Sequence, residues 1–391
     1  MVNQHSGGYF LDMKILIAPD SFKGSLSAKE VALICAGAFK DTLPGVETRL
    51  LPIADGGEGT MEVLEDIWKG QKIHSETFDA LGRKISTFFI VSDDGKKAFI
   101  ESSGIIGLPL IEKGKRNLPL SSSFGLGKTI SDALNLGYDE IIVTLGGSAT
   151  NDGGMGLMQA LGYSFFDKHH NFLSGNAINL SEISSIKAPS ACQKAKFTVL
   201  CDVENPLLGE NGATYVYSPQ KGATPDMLQI LEEGMKNYAD KVINFTGKDL
   251  SNKEGAGAAG GLGFAFLSFL DAKLKPGASS VLDMLDFDRH LEGCNLVVTG
   301  EGKLDCQTLM GKAPMEVLKR CKCKGLPVIG IAGNVTDFNL LNEAGFLAVF
   351  PIVPCCMPLE KAMQPDQTAL NLKNTIKQIA RILQFPFIPE N

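Results

Sequence analysis

The sequence predicts an α/β protein with a parallel sheet, and three observations support that class. Short apolar segments alternate with amphipathic helices at both ends of the 391-residue chain, the alternation is lost in the middle, and the two ends together supply about five strands. A chain of this length usually forms more than one hydrophobic core. The sequence therefore predicts a flavodoxin-like, doubly wound parallel sheet domain with a second, mixed α/β domain inserted into it.

The N-terminal elements follow the order strand, helix, strand, helix. The first strand is KILIAP at 14–19, and the first helix begins at the capping box SAKE, 27–30, and ends before Pro44-Gly45. We expect the second strand over 47–55 and the second helix over 60–68. The C-terminal part continues the alternation with strands at 295–300, 327–333 and 347–353 and helices at 313–321, 337–345 and about 366–383.

The middle of the chain has a different pattern. Residues 72–102 alternate apolar and polar side chains, with turn sequences at Leu81-Gly82 and Asp93-Asp94-Gly95, which is typical of antiparallel strands. Further elements are predicted as helices at 127–136, 154–161, 225–240 and 257–271 and strands at 140–145 and 197–202.

These patterns predict three segments along the chain. Residues 1–12 form a loose N-terminal arm, residues 13–70 and 286–391 form a discontinuous flavodoxin-like domain, and residues 71–285 form the inserted mixed α/β domain. Two consecutive domains would leave each end of the chain with too few strands for a covered sheet, so we favour the insertion.

Composition and charge narrow the class of function. Hydrophobic residues make up 44% and charged residues 21% of the chain, and the net charge of −7 argues against a nucleic-acid partner. No apolar run approaches the roughly 18 residues of a membrane span, so we expect no membrane partner. The nine cysteines lack CxxC spacing, which favours reduced thiols in a cytoplasmic protein over a zinc site. The oligomeric state stays open between a monomer and a small homo-oligomer.

Polar residues follow the predicted strands at their carboxyl ends. In the discontinuous domain they are Asp20, Ser21, Lys23, Asp55, Gly56, Gly57, Glu58, Glu301 and Asp305, and in the inserted domain they are Gly146, Gly147, Ser148, Asn151, Asp152, Asp202 and Asn205. Loops after parallel strands converge at one edge of a sheet, where ligands bind. We therefore expect these residues to line one cleft between the two domains.

This mixture of side chains fits phosphoryl transfer. Glycines let backbone amides approach an anion, and a following helix N-terminus adds a favourable dipole. Carboxylates repel phosphate unless a cation such as Mg²⁺ lies between them, or unless one takes a proton from a substrate hydroxyl. Together they suggest transfer of a phosphoryl group from ATP to an alcohol. For any single loop a structural role is the alternative, because Asp-Gly sequences also form turns and cap helices.

The loop GGSATNDGG at 146–154 is predicted to hold phosphate oxygens. Its glycine pairs permit amides to face the anion, and Gly154 opens a helix whose N-terminus favours negative charge. Asn151 can donate directly to phosphate, whereas Asp152 needs a metal or a capping amide beside it. Asp152 is therefore either a catalytic residue or only the N-cap of the following helix.

Two other glycine-rich segments match nucleotide motifs only in part. GLGKT at 125–129 has Ser122 where a P-loop needs glycine, and the segment before it is a poor strand. GAGAAG at 255–260 matches the dinucleotide fingerprint, but polar SNKE precedes it instead of a strand. We expect a helix start that packs tightly at the domain interface there, and a nicotinamide-dependent oxidoreductase is an alternative from another class.

The segments PDSFKGS, ADGGEGT, GGSATNDGG, CDVENPLLG, QKGAT, GAGAAGGLG and TGEGKLDCQT resemble, in this order, signature segments of the bacterial glycerate kinase family of type 1. The resemblance extends from Met13 to about residue 385. It implies a two-domain kinase that phosphorylates D-glycerate with ATP and Mg²⁺. It further implies 2-phosphoglycerate as the product, with a 3-kinase that gives 3-phosphoglycerate as the alternative.

The resemblance also suggests roles at the matching positions. Lys23 would neutralise the glycerate carboxylate or the moving phosphoryl group. Asp202 would accept the hydroxyl proton, while Glu301 and Asp305 would bind the metal. On the sequence alone, the roles of Asp202 and Asp305 can be exchanged. SFGLGK at 123–128 departs from the family pattern, so no role is carried over there.

Overall fold

The structure is a computed structural model that describes residues 13–68, 71–190 and 194–384, and the arm predicted over 1–12 lies outside these residues. The strands are β1 (Lys14–Pro19), β2 (Glu47–Leu50), β3 (Lys72–Phe78), β4 (Lys84–Val91), β5 (Lys97–Glu101), β6 (Glu140–Thr144), β7 (Ser164–Phe166), β8 (Ser185–Lys187), β9 (Lys196–Leu200), β10 (Lys273–Lys275), β11 (Leu296–Leu304), β12 (Val328–Val335) and β13 (Ala348–Pro351). The helices are α1 (Ala28–Thr42), α2 (Thr60–Trp68), α3 (Ser103–Ile106), α4 (Phe124–Asn135), α5 (Met155–Ala160), α6 (Ala213–Tyr217), α7 (Pro225–Thr246), α8 (Ala258–Leu270), α9 (Gly277–Met284), α10 (Phe287–His290), α11 (Ala313–Cys323), α12 (Phe338–Ala344), α13 (Leu359–Ala362) and α14 (Pro365–Leu383). No helix of the described residues is both long enough and apolar enough to cross a membrane.

The chain divides into two compact units. The first contains Met1–Asp55 and Ala278–Asn391, and the second contains Gly56–Gly277. The boundaries therefore fall at 55/56 and 277/278, instead of at the predicted 70/71 and 285/286. The helix α2 lies in the second unit because it packs on β4 and β5, where Trp68 meets Phe99 edge-on with ring centroids 6.1 Å apart.

The first unit is built on a five-stranded, fully parallel sheet with the order β2-β1-β11-β12-β13. Strand β1 pairs with β11 from Ile15–Leu296 to Pro19–Gly300, so strands from distant parts of the chain are neighbours. Counted within this unit, the order is 2-1-3-4-5, which is that of flavodoxin-like folds and confirms the predicted fold class. The strand order reverses between β1 and β11, the position at which such sheets bind ligands.

Helices α1 and α14 cover one face of this sheet. The buried side chains at that contact include Ile15, Ile17, Val31, Phe39, Ile376 and Ile379. The capping box that starts α1 is present, since the Ser27 hydroxyl oxygen accepts the Glu30 amide at 3.3 Å and the Glu30 carboxylate accepts the Ser27 amide at 2.8 Å. Residues of β1 on the opposite face are buried as well, which explains why this strand is apolar throughout instead of alternating.

Strand β2 is shorter than predicted and ends before Pro52, which has no N–H for the ladder. The chain nevertheless continues beside β1, because the Ile53 amide donates to the Pro19 carbonyl at 2.9 Å. This extension brings Asp55 toward the carboxyl end of β1.

The second unit is built on a mixed six-stranded sheet with the order β3-β4-β5-β6-β9-β10. Strands β3, β4 and β5 pair antiparallel, as predicted for 72–102, whereas β5, β6, β9 and β10 are parallel. The carboxyl ends of β5, β6 and β9 consequently lie at one edge of the sheet, where the loop 146–154 and Asp202 follow. This mixed sheet confirms the class predicted for the inserted domain.

Candidate active site

The first polar cluster follows β1 and β11, where the strand order reverses. Asp20 comes directly after β1, is only 3% exposed, and its Oδ1 accepts the Ser21 amide at 2.6 Å. Burial raises the pKa of the Asp20 carboxyl to about 8, and the negative charges of Asp55 and Glu301 add to the rise. A carboxyl with such a pKa exchanges its proton near neutral pH, which suits a general base.

Lys23 supplies a positive charge beside these carboxylates. Its Nζ donates to Asp55 Oδ2 at 2.7 Å, while more than half of the lysine side chain stays exposed. Burial alone would lower the pKa of Lys23, but Asp55, Asp20 and Glu301 together raise it above its usual value. The ammonium therefore remains charged near neutral pH and can meet an anionic group.

Two further carboxylates lie at the end of β11. Glu301 Oε1 accepts the Thr308 hydroxyl at 2.8 Å, and its Oε2 lies 3.5 Å from the Lys312 Nζ. The Asp305 carboxylate lies 2.8 Å from the Lys303 ammonium, and the Asp305 amide donates to the Thr308 hydroxyl oxygen at 3.1 Å. Lys303 lowers the pKa of the Asp305 carboxyl, whereas burial raises the pKa of Glu301. Thr308 thus connects Glu301, near the end of β11, with the turn that carries Asp305.

The chemistry of this pair fits a Mg²⁺ ion that also binds substrate phosphates. Mg²⁺ in proteins takes one or two carboxylates and completes its shell with phosphate and water oxygens. Within the ranges that the structure describes, no group of three or more His, Cys, Asp or Glu side chains is placed to hold a metal ion. Glu301 and Asp305 therefore offer a donor set that depends on a phosphate ligand, and their assignment to the metal stays a prediction.

The turn before α2 contains three of the predicted binding residues. Gly56 has a φ of +87°, and a Cβ there would lie 2.5 Å from the Cα of Gly277, so glycine is required. The Gly57 carbonyl accepts the Thr60 hydroxyl at 2.8 Å, and Glu58 is exposed. These contacts give the turn its shape and leave the Glu58 side chain at the surface.

The loop 146–154 presents backbone amides at the carboxyl end of β6. Gly147 has a φ of +61°, and no atom lies within 4 Å of a Cβ built on it. The loop is anchored because the Gly147 carbonyl accepts the Leu108 amide at 2.7 Å. Among the residues described, no acceptor pairs with the amides of Gly146, Gly147 or Ser148. Adjacent amides of this kind are suited to bind an anion.

Asp152 is a fully buried residue that caps two helices. Its carboxylate accepts the Ser123 amide and hydroxyl, both at 2.7 Å, and the Gly154 and Gly156 amides, both at 3.2 Å. Ser123 precedes α4, while the two glycines lie at the start of α5. Burial raises the pKa of this carboxyl, and the four donors oppose that rise. These contacts favour the capping alternative for Asp152 over direct contact with a substrate.

Lys221 contacts the same loop from the turn after α6. It is 3% exposed, and its Nζ donates to the Ser148 hydroxyl oxygen at 3.0 Å and to the Thr150 carbonyl at 2.7 Å. Burial lowers the pKa of Lys221 to about 7, while the charge of Asp152 acts in the opposite direction. A buried ammonium is therefore attached to the backbone of the loop predicted to bind phosphate.

The glycine-rich segment 255–260 packs against this loop. It leads into an irregular start of α8, where Ala259, Gly260 and Gly261 have left-handed backbone conformations. The Gly260 carbonyl accepts the Gly153 amide at 3.0 Å, and a Cβ at Gly260 would lie 2.1 Å from the Thr150 carbonyl oxygen. The tight packing predicted for this segment is therefore present, and these contacts with the loop 146–154 lie within the second unit.

The segment GLGKT at 125–129 lies inside α4 instead of forming a loop. A Cβ at Gly125 would lie 1.7 Å from the Phe78 carbonyl oxygen, and one at Gly127 would lie 2.4 Å from the Leu157 carbonyl oxygen. Both glycines therefore allow close packing of α4, in agreement with the only partial match of this segment to a P-loop.

Asp202 and Asn205 follow β9. Asp202 is exposed, and its Oδ1 accepts the Gly277 amide at 2.7 Å, where α9 begins. The Asn205 side chain donates to the Asn211 carbonyl at 2.8 Å and accepts the Tyr217 hydroxyl at 2.5 Å. Both of its polar atoms are thus engaged in holding the local chain.

Sequence reasoning missed two buried charged residues at these loops, Lys221 and Glu101. The Glu101 carboxylate accepts the Met61 amide at 2.9 Å and the Gly59 amide at 3.2 Å, and so caps α2. Lys221 lies in the QKGAT segment that carried part of the family resemblance, but its spacing does not distinguish a buried lysine from a surface one. Only the tertiary contacts identify it.

The fold and these clusters define the class of protein, an α/β enzyme whose polar loops follow the carboxyl ends of parallel strands. One cluster combines carboxylates with lysines, and the other combines backbone amides of a glycine-rich loop with a buried ammonium, which suits phosphate chemistry. That both groups of residues line one cleft stays a prediction.

Comparisons with known proteins identify the family within this class. The model of the glycerate kinase family matches residues 15–384. The chain is 43% identical to the glycerate kinase of Bacillus subtilis (strain 168), over 94% of this chain and 97% of that protein. It is 40% identical to the glycerate 2-kinase of Escherichia coli (strain K12), over 90% of this chain and 93% of that protein.

A solved structure leads to the same family. The crystal structure described as glycerate kinase 2 from Salmonella typhimurium LT2 matches with a TM-score of 0.82 and 39% identity, over 95% of this chain and 98% of that chain. The chain therefore belongs to the glycerate kinase family and is a kinase, which confirms the resemblance noted in the sequence.

Proposed function

We propose that this kinase transfers a phosphoryl group from ATP to D-glycerate in the presence of Mg²⁺ and that the product is 2-phosphoglycerate. The observation that carries the proposal is the similarity, over nearly the whole chain, to relatives named for glycerate phosphorylation, one of them a glycerate 2-kinase. The two polar clusters support it, because phosphoryl transfer needs phosphate-binding donors and an acceptor for the hydroxyl proton.

In this proposal the loop 146–154 binds phosphate oxygens. The amides of Gly146, Gly147 and Ser148 are the donors, and because the left-handed backbone at Gly147 favours glycine, no side chain at this position covers them. Asn151 lies in the same loop but is fully buried, so we assign it to the loop's shape instead of to a direct phosphate contact.

Asp20 is the residue that we propose as the proton acceptor. A glycerate hydroxyl oxygen forms a bond to the γ-phosphorus while the bond from that phosphorus to the bridging oxygen breaks, and ADP leaves. The hydroxyl proton passes to the Asp20 carboxylate. Asp202 was the base suggested by the resemblance, and it is our second choice because its carboxylate is exposed and caps α9.

Lys23, Glu301 and Asp305 would stabilise negative charge. The exposed Lys23 ammonium would neutralise the glycerate carboxylate or the moving phosphoryl group. Glu301 and Asp305 would hold Mg²⁺, which when bound supplies positive charge to the phosphate oxygens. The remaining substrate-binding candidates are the side chains of Ser21 and Glu58 and the backbone of the Gly56-Gly57 turn.

Phosphorus NMR of the reaction products tests this proposal. With D-glycerate, ATP and Mg²⁺, we expect a phosphomonoester signal that is split by the single proton on carbon 2. Reactions without glycerate, and reactions with excess EDTA, are the controls and should give no such signal. A signal split by the two protons of carbon 3 would contradict the proposed product, and turnover that persists in EDTA would contradict the proposed metal.

A further inference from the structure

Lys221 is a buried lysine for which the reaction outlined above has no role. Its ammonium donates to two neutral oxygens, those of the Ser148 hydroxyl and the Thr150 carbonyl. Taking an ammonium out of water without a carboxylate bonded to it is costly, and a neutral donor would satisfy the same two acceptors at a lower cost. A purely structural role therefore does not explain why a charge is present at this position.

Buried oxygen atoms without hydrogen-bond partners are concentrated around the same loop. Within the described part of the chain they include Thr150 Oγ1, Asn151 Oδ1, Ser218 Oγ and the Tyr238 hydroxyl. The Ser218 carbonyl accepts the Lys221 amide at 3.0 Å, and the Tyr238 ring lies where a Cβ at Gly153 would be only 2.5 Å away. Buried polar atoms are normally paired, so such a concentration is typical of a functional region.

We propose that Lys221 is the internal cation of the phosphate-binding loop. Its ammonium fixes the loop backbone through Ser148 and Thr150, and its charge attracts the phosphate group that the loop amides bind. The inference rests on the proposed function of the loop. Lys221 is accordingly a positioning residue, because its ammonium is buried and acts on the phosphate through the loop.

The buried carboxylate of Asp152 is a negative charge that an internal cation would offset. Asp152 is fully buried at the far end of the same loop, and its interaction with Lys221 is strong enough to affect the lysine pKa. A buried carboxylate near a phosphate-binding loop would repel the phosphate. The ammonium of Lys221 offsets this repulsion, while the four donors hold the Asp152 carboxylate in its capping position.

The first test is ATP affinity of the full-length chain, measured by calorimetry with ATP and Mg²⁺. Lys221→Met keeps the length of the side chain and removes its charge, and Lys236→Met on the exposed side of α7 is the matched control. We expect Lys221→Met to bind ATP about tenfold more weakly or worse, by loss of a charge-assisted interaction. We expect Lys236→Met to match the wild type and the KM for glycerate to change less than about twofold in both variants.

The second test separates the charge of Lys221 from its shape through pH. The charged group that acts on Lys221 is Asp152, which also acts on the Tyr238 hydroxyl, and the nearest residue in sequence, Gln220, has its carbonyl bound by Arg116 at 2.8 Å. The pKa of Lys221 lies at about 7, so the wild type loses the ammonium charge as the pH rises from about 6 to about 9. Its ATP affinity should therefore fall more steeply than that of Lys221→Met, because the titration of ATP itself is common to both proteins.

Unchanged ATP affinity in a folded Lys221→Met variant, or parallel pH dependences, would overturn the inference. If thermal unfolding shows that this variant does not fold, Ser148→Ala decides instead, since it removes one acceptor and keeps the ammonium. We then expect ATP binding to weaken by about three- to tenfold, and unchanged affinity would reject the inference.

The outcomes also separate this inference from the proposed function. A wild-type protein that binds ATP with the expected dependence on Lys221, but gives no phosphoglycerate, supports the inference and rejects glycerate as substrate. A wild-type protein that phosphorylates glycerate while ATP affinity is independent of Lys221 rejects the inference alone.

Discussion

The acid cluster after β1 and β11 and the glycine-rich loop after β6 both follow carboxyl ends of parallel strands, yet they handle charge in opposite ways. In the acid cluster, burial raises the pKa of the Asp20 carboxyl to about 8, and the negative charges of Asp55 and Glu301 contribute to this rise. In the loop, Asp152 is buried just as completely but is surrounded by donors, and a lysine opposes its charge.

The number of donors accounts for the difference between these two carboxylates. Asp20 accepts one backbone amide, whereas Asp152 accepts four hydrogen bonds that hold the starts of two helices. An acidic residue after a strand therefore does not by itself identify a catalytic group. Asp20 is free to change its protonation state during a reaction, while Asp152 is committed to the fold.

Asp20→Asn should have the largest effect, a loss of turnover without a loss of stability. Removing the proton acceptor should lower kcat by about 10²–10⁴-fold.

The pKa of Asp20 is raised from 3.8 to about 8, so the protonated form stabilises the fold below pH 3.8, and this contribution is lost as the pH rises through about 8. The variant has no such proton to lose, so its unfolding free energy should rise relative to the wild type over that range. Urea unfolding at acidic and weakly basic pH checks this, and an unfolding free energy that falls along with kcat would contradict it.

Gly147→Val should disturb the glycine-rich loop 146–154, whose backbone amides are predicted to bind phosphate. Gly147 and Gly95 have similar φ values of +61° and +65°, and at neither does an atom lie within 4 Å of an added Cβ. Valine should therefore cost a similar folding free energy at both positions, about 1–2 kcal/mol, because of the left-handed backbone. Only Gly147→Val should raise the KM for ATP, by about 10–100-fold, since only it shields the loop amides. Equal KM values for the two variants would mean that the loop does not bind ATP.

Asp152→Asn should give the reverse of the Asp20 result. An amide nitrogen in place of one carboxylate oxygen would face donors, so we expect a loss of about 1–3 kcal/mol in unfolding free energy. Turnover of the folded variant should fall less than about tenfold, because the carboxylate caps helices. Chemical denaturation and steady-state kinetics measure the two effects. A loss of turnover beyond about 10²-fold with unchanged stability would show that Asp152 is catalytic.

Asp55→Asn should produce the smallest change, a shift of the pH profile. Asp55 raises the pKa of Asp20, and its removal also frees Lys23 to interact with Asp20. The rise of kcat/KM with pH that follows ionisation of Asp20 should therefore move to lower pH. A profile that moves to higher pH would mean that another group controls the rate.

Local sequence signals were sufficient for most of the fold. The helix predicted over 60–68 has the same bounds as α2, and the helix predicted over 366–383 differs from α14 by one residue at its start. Strand β10 was missed because its sequence, Lys-Leu-Lys, has only one apolar side chain. It forms as the edge strand of the second sheet because β9 is there to pair with it.

The candidate site was less accessible from sequence because its decisive contacts are long-range. The loops could be located since each follows an apolar strand. The donors to Asp152, however, include Ser123, which is 29 residues away in the chain. The acceptors of the Lys221 ammonium are 73 and 71 residues away, at Ser148 and Thr150. No pattern within one segment encodes such contacts, so the capping role and the buried lysine required the tertiary structure.

The pairing of β1 with β11 also determines the order in which the two units can form during synthesis. Thr299 of β11 donates to the Ala18 carbonyl of β1 across 281 residues of chain. At about 5–20 residues per second, a ribosome makes β11 roughly 15–60 s after β1. Until then β1 has only β2 beside it, and an isolated two-stranded pair is at best marginally stable. The strands β3 to β10 all lie within Gly56–Gly277, so the nascent chain can complete the second sheet while the first is still waiting for its central strand.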